Sequence, residues 1–332
     1  MRSRRGNAER RRYPIGLERQ GARVRLDLWP WRPVLPGTRR TGIAMKPAPF
    51  RYHLATDLPD ALSALAEPEA KLLAGGQSLM PMANFRLLRP SVLIDINRIA
   101  GLGALAERPE GIRVGALSRH AAIETASLIA RAHPILSHAM GFVAHPSIRN
   151  RGTIGGSLAH NDPAAEWPML VLLLDAVLTL ASRRGTRAVP ARDFLIGPLA
   201  TALAPDEMLT AIDLPAALPG TFWGFAEIAR RHGDFALAAV GVTLRIEDGR
   251  IADSRIALTG VGDTALRAGA AEAILNGRRP DAVVLPAAIA AIRDVLRPMS
   301  DLHASADYRR HLAGVLAARA IRDAWRRAGG ES

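Results

Sequence analysis

The 332-residue chain contains no cysteine. That absence excludes disulfides, thiol catalysis and any zinc or iron–sulfur centre held by thiolates of this polypeptide. Redox chemistry, if the chain takes part in it, must ride on an organic cofactor or on another subunit. Long apolar runs are missing too. The longest, Met169 to Leu180, is interrupted by Asp175 and falls far short of the ~20 residues that span a bilayer. It reads as a buried helix over 164–174 followed by a strand over 177–181, so no membrane span is expected. Ser3-Arg4-Arg5 is not followed by the apolar stretch of an export signal, which points to a cytoplasmic protein.

Negative charge is scarce at the N-terminus. The formal net charge is +13, and residues 1–44 hold 12 Arg against 3 Asp or Glu, leaving only +4 for residues 45–332. This Arg- and Pro-rich leader lacks sustained apolar periodicity and ends just before Met45-Lys46-Pro47, where ordinary domain sequence begins. A basic arm for anionic partners and a targeting peptide are possible readings. The abrupt change of composition at an internal Met favours a third, upstream sequence read from a misplaced start, which would also leave the segment disordered. Because the charge is so localised, no nucleic-acid partner is expected, although a basic nucleic-acid-binding protein stays open as the alternative from another functional class.

Two glycine-rich loops dominate the rest. Ala74-Gly75-Gly76-Gln77-Ser78 and Thr153-Ile154-Gly155-Gly156-Ser157 each offer backbone N–H groups unshielded by Cβ atoms, with Ser78, Thr153 and Ser157 adding hydroxyl donors. The pair predicts one bound dinucleotide whose diphosphate is held mainly by neutral donors. Neither loop ends in Gly-Lys-Ser/Thr, which disfavours ATP chemistry. The second loop runs on through His160-Asn161-Asp162-Pro163 to a helix start, a place for ribose and adenine contacts.

From Met45 the chain alternates short strands and helices: a helix over 59–66 behind a Thr56-Asp57 cap, strands over 71–74, 91–96 and 113–115, a helix over 118–126 capped by Ser118, and helical sequence over 135–143. This is an α+β pattern whose loops carry the ligand. Pro215, Pro219 and Gly220 place a domain boundary near 218, dividing 45–218 from 219–332. Beyond it, 236–247, Asp248-Gly249 and 250–259 predict a β-hairpin with a tight turn, followed by helices over 268–275, 285–295 and 308–327.

Other motifs carry less. Gly101-Leu102-Gly103-Ala104-Leu105-Ala106 matches a relaxed dinucleotide fingerprint, but Pro109 and Gly111 interrupt the helix it should open. His120, His133, His138, His145 and His160 lack metal-ligand spacing and read as surface or capping residues. Ser157, His160 and Asp162 are too crowded for a nucleophilic triad. Arg230 to Ala236 is either a charged turn followed by a strand, with Phe235 packed in the core, or a loop that carries an aromatic or carboxylate group to a cofactor ring across the domain cleft.

Taken in order, Ala74 to Leu79, Leu93-Ile94-Asp95-Ile96-Asn97, Ile148 to Ser157, Asp162 to Pro168 and Arg231 to Ala236 resemble the medium FAD-binding subunit of molybdenum hydroxylases, the xanthine dehydrogenase and aerobic carbon monoxide dehydrogenase group. The resemblance covers Met45 to the C-terminus. It implies an α+β fold in which a PCMH-type FAD-binding domain of two α/β subdomains precedes a smaller C-terminal domain with an antiparallel sheet and helices. It further implies non-covalent FAD, contacted by Ala74, Gly75, Gly76, Gln77, Ser78 and Leu79, by Thr153, Ile154, Gly155, Gly156 and Ser157, by Asp162 on the adenosine side, and by Phe235 near the flavin. Partners would be a small subunit with [2Fe-2S] clusters and a large molybdopterin subunit, assembled as a dimer of heterotrimers. Electrons would leave the FAD for NAD⁺, a quinone or oxygen. A standalone flavin oxidase of the same fold is the alternative enzyme.

Overall fold

A computed structural model of the chain describes residues 46–330. The basic extension expected over 1–44 lies outside the described residues.

The described chain begins with a three-stranded parallel sheet in which Val92–Asp95 is central, flanked by Arg51–Leu54 and Lys71–Leu73. Parallel strands need crossovers, and the first is the helix Leu58–Leu65. Asp57 starts it by accepting the Asp60 N–H at 2.8 Å, while Ala61, Leu62 and Leu65 form the buried stripe. Val92, Leu93 and Ile94 are all buried, as befits a central strand covered on both faces.

A five-stranded antiparallel sheet follows, in the spatial order Leu105–Arg108, Gly111–Gly115, Met208–Pro215, Val177–Ser182, Gly185–Pro190. Short helices over 120–160 cover it. The helix Glu166–Leu173 has every residue buried, including Trp167 and Met169. A helix apolar on all sides needs neighbours on all sides. It sits among this sheet's core and the strands Ala236–Glu247 and Arg250–Thr259 of a third, four-stranded antiparallel sheet. The expected hairpin is present with its boundaries intact, and both turn residues, Asp248 and Gly249, have positive φ (49° and 68°), as a tight primed turn requires. The 22-residue helix Ala306–Arg327 packs across the third sheet, capped by Ser305.

Several expectations need correction. The helix expected over 118–126 covers His120–Thr125, and Ser118 does not cap it, because the Ser118 hydroxyl donates to Gly103 O at 3.2 Å instead. His120 is buried rather than a surface or capping residue, while His133, also buried, stands at the cap between the helices Ser127–Ala132 and Pro134–Met140. Phe235 is 61% exposed, so it does not pack in the core. As expected, by contrast, the fingerprint-like Gly101 to Ala106 opens no helix, and Leu102 O accepts the Leu117 N–H at 2.7 Å.

Thr259, fully buried, ties the third sheet to the turn before Glu166. Its hydroxyl lies 2.8 Å from Pro163 O and 3.0 Å from Ala165 O. Pro163 O also accepts the Gly260 N–H at 2.9 Å, so Thr259→Val, which keeps the shape, removes one side-chain hydrogen bond and is expected to cost about 0.5–1.5 kcal/mol. A thermal midpoint equal to that of the unsubstituted chain would contradict this role.

Candidate cofactor-binding site

Two strands of the parallel sheet end at one edge, Leu73 leading into Ala74–Ser78 and Asp95 leading into Ile96–Asn97. The carboxyl edge of such a sheet is where open α/β folds take ligands. Gly76, at φ +71°, turns the chain into the short helix Leu79–Asn84, with Leu79 half-buried at its start. The N–H groups of Gly75, Gly76, Gln77 and Ser78 have no hydrogen-bond partner among the described residues. Four consecutive main-chain donors are therefore open to an anionic acceptor.

The second glycine segment meets the first. A Cβ built on Gly75 would stand 2.3 Å from Arg151 O and 2.9 Å from Gly152 Cα, so only glycine admits this approach. In the second loop, however, the expected open donors are already in use. Ile154 N–H bonds Ser118 O at 3.1 Å, Gly155 N–H bonds Ala116 O at 2.8 Å, and Gly156 N–H bonds the Thr153 hydroxyl at 3.0 Å. Ser157 N–H takes its intrahelical place on Thr153 O. The segment pairs with residues 116–120 before its helix begins, and that pairing consumes the Ile154 and Gly155 donors, while Thr153 takes those of Gly156 and Ser157. Thr153 is an N-cap, and Gly155 is a packing glycine whose Cβ would lie 2.6 Å from Ala116 Cβ.

Asp162 Oδ1 accepts the Ala164 N–H at 2.9 Å, an Asx turn that leaves Oδ2 without a hydrogen bond among the described residues. Its neighbour Asn161, left-handed at φ +47°, donates to Gly197 O at 2.8 Å and Ala200 O at 2.9 Å, pinning the small hairpin formed by Leu195–Gly197 and Ala200–Thr201. Phe235 ends the turn 230–235. That turn abuts the chain upstream of the second loop: the His232 and His145 rings stack with centroids 6.2 Å apart.

A polar chain that residue patterns left without a role joins the two loops. Tyr52 donates to Asp95 Oδ2 at 2.6 Å; Asn97 Nδ2 donates to Asp95 Oδ1 at 2.6 Å and to Ala74 O at 2.9 Å; Arg119 Nη2 donates to Asn97 Oδ1 at 2.5 Å and Nη1 donates to Arg151 O. Burial opposes ionisation of Asp95, but the bonds from Tyr52 and Asn97 outweigh it and hold its pKa below 3.8. The only signal in the sequence was the polar pair Asp95 and Asn97 at the end of an apolar strand.

Behind the second loop, Trp167 Nε1 donates to His120 Nδ1 at 2.9 Å, which places the ring proton on Nε2. Burial holds the His120 pKa down to about 4, so the ring is neutral. Glu166 and Glu227 form a second buried group. Burial raises Glu166 to about 7, with Asp162 adding to the shift, and raises Glu227 to about 8, with Glu166 adding to it. Glu227 Oε2 has no hydrogen-bond partner among the described residues.

An α+β chain with two glycine loops in contact, one presenting open main-chain donors, defines a dinucleotide-binding protein. The family model for the FAD binding domain in molybdopterin dehydrogenase matches residues 48–217, and that for the CO dehydrogenase flavoprotein C-terminal domain matches residues 223–324. The alpha subunit of the 6-hydroxypseudooxynicotine dehydrogenase complex of Paenarthrobacter nicotinovorans is 41% identical over 287 residues, which cover 86% of this chain and 97% of that protein. The nicotine 6-hydroxylase medium subunit of the same organism is also 41% identical, over 84% of this chain and 99% of its own length. Among solved structures, a carbon monoxide dehydrogenase from Hydrogenophaga pseudoflava superposes with a TM-score of 0.83 at 38% identity, covering 85% of this chain and 99% of that one. The chain belongs to the FAD-binding medium subunits of the molybdenum hydroxylases, a family of oxidoreductases. Its cofactor is FAD, and the donors open at Gly75 to Ser78 suit the diphosphate of that molecule.

The carboxyl pair has a signed consequence for stability. Both groups have folded pKa values above the ordinary 4.5, so the stabilisation is complete below pH 4.5 and is lost as pH rises through about 7 to 8. The thermal midpoint is expected to fall across that window, and Glu227→Gln to flatten the fall. Equal slopes for both proteins would show that the pair does not titrate there.

Proposed function

We propose that the chain is the flavin stage of an electron-transfer complex. Electrons arrive from the [2Fe-2S] clusters of a small partner subunit, after substrate oxidation at a molybdopterin centre on a large one, and leave for NAD⁺, a quinone or oxygen. FAD supplies the step between one-electron carriers and a two-electron acceptor. A chain without cysteine borrows its iron–sulfur centres from partners, in keeping with this division of labour. The complex is a cytoplasmic dimer of heterotrimers, and among the described residues no helix is long and apolar enough to cross a membrane.

Residues 45–218 form the FAD-binding domain and 219–332 the C-terminal domain. FAD is held without a covalent bond. Gly75, Gly76, Gln77 and Ser78 bind the diphosphate through main-chain N–H groups, while Ala74 and Leu79 fix the ends of that loop. Thr153, Ile154, Gly155, Gly156 and Ser157 form the opposing wall, with the Ser157 hydroxyl as a donor. Asp162 takes the adenosine side through its free oxygen, and exposed Phe235 lies beside the flavin ring.

The observation that carries this reading is the contact of Gly75 with Arg151 and Gly152, which brings two segments some 75 positions apart into one wall. The purified chain is expected to be yellow and to release FAD on denaturation. A colourless chain that no added FAD restores would overturn the assignment. Gly75→Val, which would drive the loops apart, is expected to weaken FAD binding at least about tenfold in a flavin titration. Unchanged affinity would remove the glycine contact from the site.

A further inference from the structure

The junction of the two loops carries charge that the glycine pattern does not show. Arg151 O is the atom that Gly75 abuts, and the same oxygen accepts Arg119 Nη1. Arg119 Nη2 is held by Asn97, whose amide also bonds Ala74 O at 2.9 Å. The Arg119 head is thus fixed against the first loop from two sides, next to the open N–H groups of Gly75 to Ser78. A guanidinium has five N–H donors. Two of those on Arg119 are engaged, and the rest are free among the described residues.

Arg151 stands beside it. Its side chain is exposed and has no hydrogen bond or ion pair among the described residues. Burial, and then the neighbouring Arg151 charge, lower the Arg119 pKa from its ordinary value, with Asp95 opposing them. Asp95 is the carboxylate nearest in charge to Arg119, and both of its oxygens are already taken by Tyr52 and Asn97. Asp95 offsets one of these two positive charges, Arg151 has no ion pair among the described residues, and the excess positive charge lies beside four free main-chain donors.

We propose that Arg119 and Arg151 are cofactor-binding residues that complement the two negative charges of the FAD diphosphate, Arg119 also clamping the two glycine segments at a fixed separation. The inference rests on the FAD reading above. It replaces a diphosphate held by neutral donors alone with one held by charge-assisted bonds, which are stronger and salt-sensitive.

The test is a flavin titration of the apo form of the full chain at low and at high salt, with Arg119→Met, Arg119→Lys and Arg151→Gln. The unsubstituted chain is expected to lose affinity as salt rises. Arg119→Met and Arg151→Gln should each bind FAD about tenfold to a hundredfold more weakly at low salt, with a shallower salt dependence. Arg119→Lys should recover part of the affinity, since it keeps the charge and loses the fork. If Arg119→Met does not fold, Arg151→Gln decides the question, because that exposed side chain makes no structural bond. Variants that bind FAD as tightly as the unsubstituted chain, with the same salt response, would overturn the proposal while leaving the FAD reading intact. Failure of the unsubstituted chain to take up FAD would overturn both.

Discussion

The arrangement depends on one steric constraint: position 75 has no side chain. Main chain from the parallel sheet can then lie against the carbonyl of Arg151, and everything at the site is organised around that contact. The first loop keeps four donors open because the strand ladder has ended and its helix has not begun. The second loop spends its own donors on Ala116, Ser118 and Thr153 and so acts as a wall. The two loops look alike as sequences and do different physical work.

Polar groups fix that contact at several points. Asn97 bonds the first loop, Arg119 bonds Asn97 and the second segment, and Asp95 orients Asn97. Each member is held by a neighbour that is itself held, which is the condition under which a partly buried polar network rigidifies a site rather than weakening it. On the far side, a neutral His120 and two carboxyls that favour their protonated forms keep net charge out of the interior behind the second loop.

Much of this was legible where local chemistry and tertiary packing agree. The hairpin 236–259 was readable to the residue because Asp248-Gly249 fits a primed turn and the flanking strands are long. The Asp57 cap and the helices beyond 268 were readable for the same reason. The four-residue strands Arg51–Leu54 and Leu105–Arg108 were not, since they are too short to show a period and lack the apolar run that marks Val92–Asp95. Of the site, the glycine positions were visible. The use of the Thr153 loop's donors was not, because it depends on Ala116 and Ser118 arriving from elsewhere. Arg119 looks like any surface arginine until Asn97 and Arg151 are placed around it, and Glu227 is an ordinary strand residue until Glu166 is buried near it.

Thr259 has a meaning beyond stability. One hydroxyl from the third sheet reaches two carbonyls, Pro163 O and Ala165 O, just after Asp162. A foreign C-terminal domain spliced onto this FAD-binding domain would therefore have to bring a matching donor, or the turn leading into Glu166 would lose an anchor.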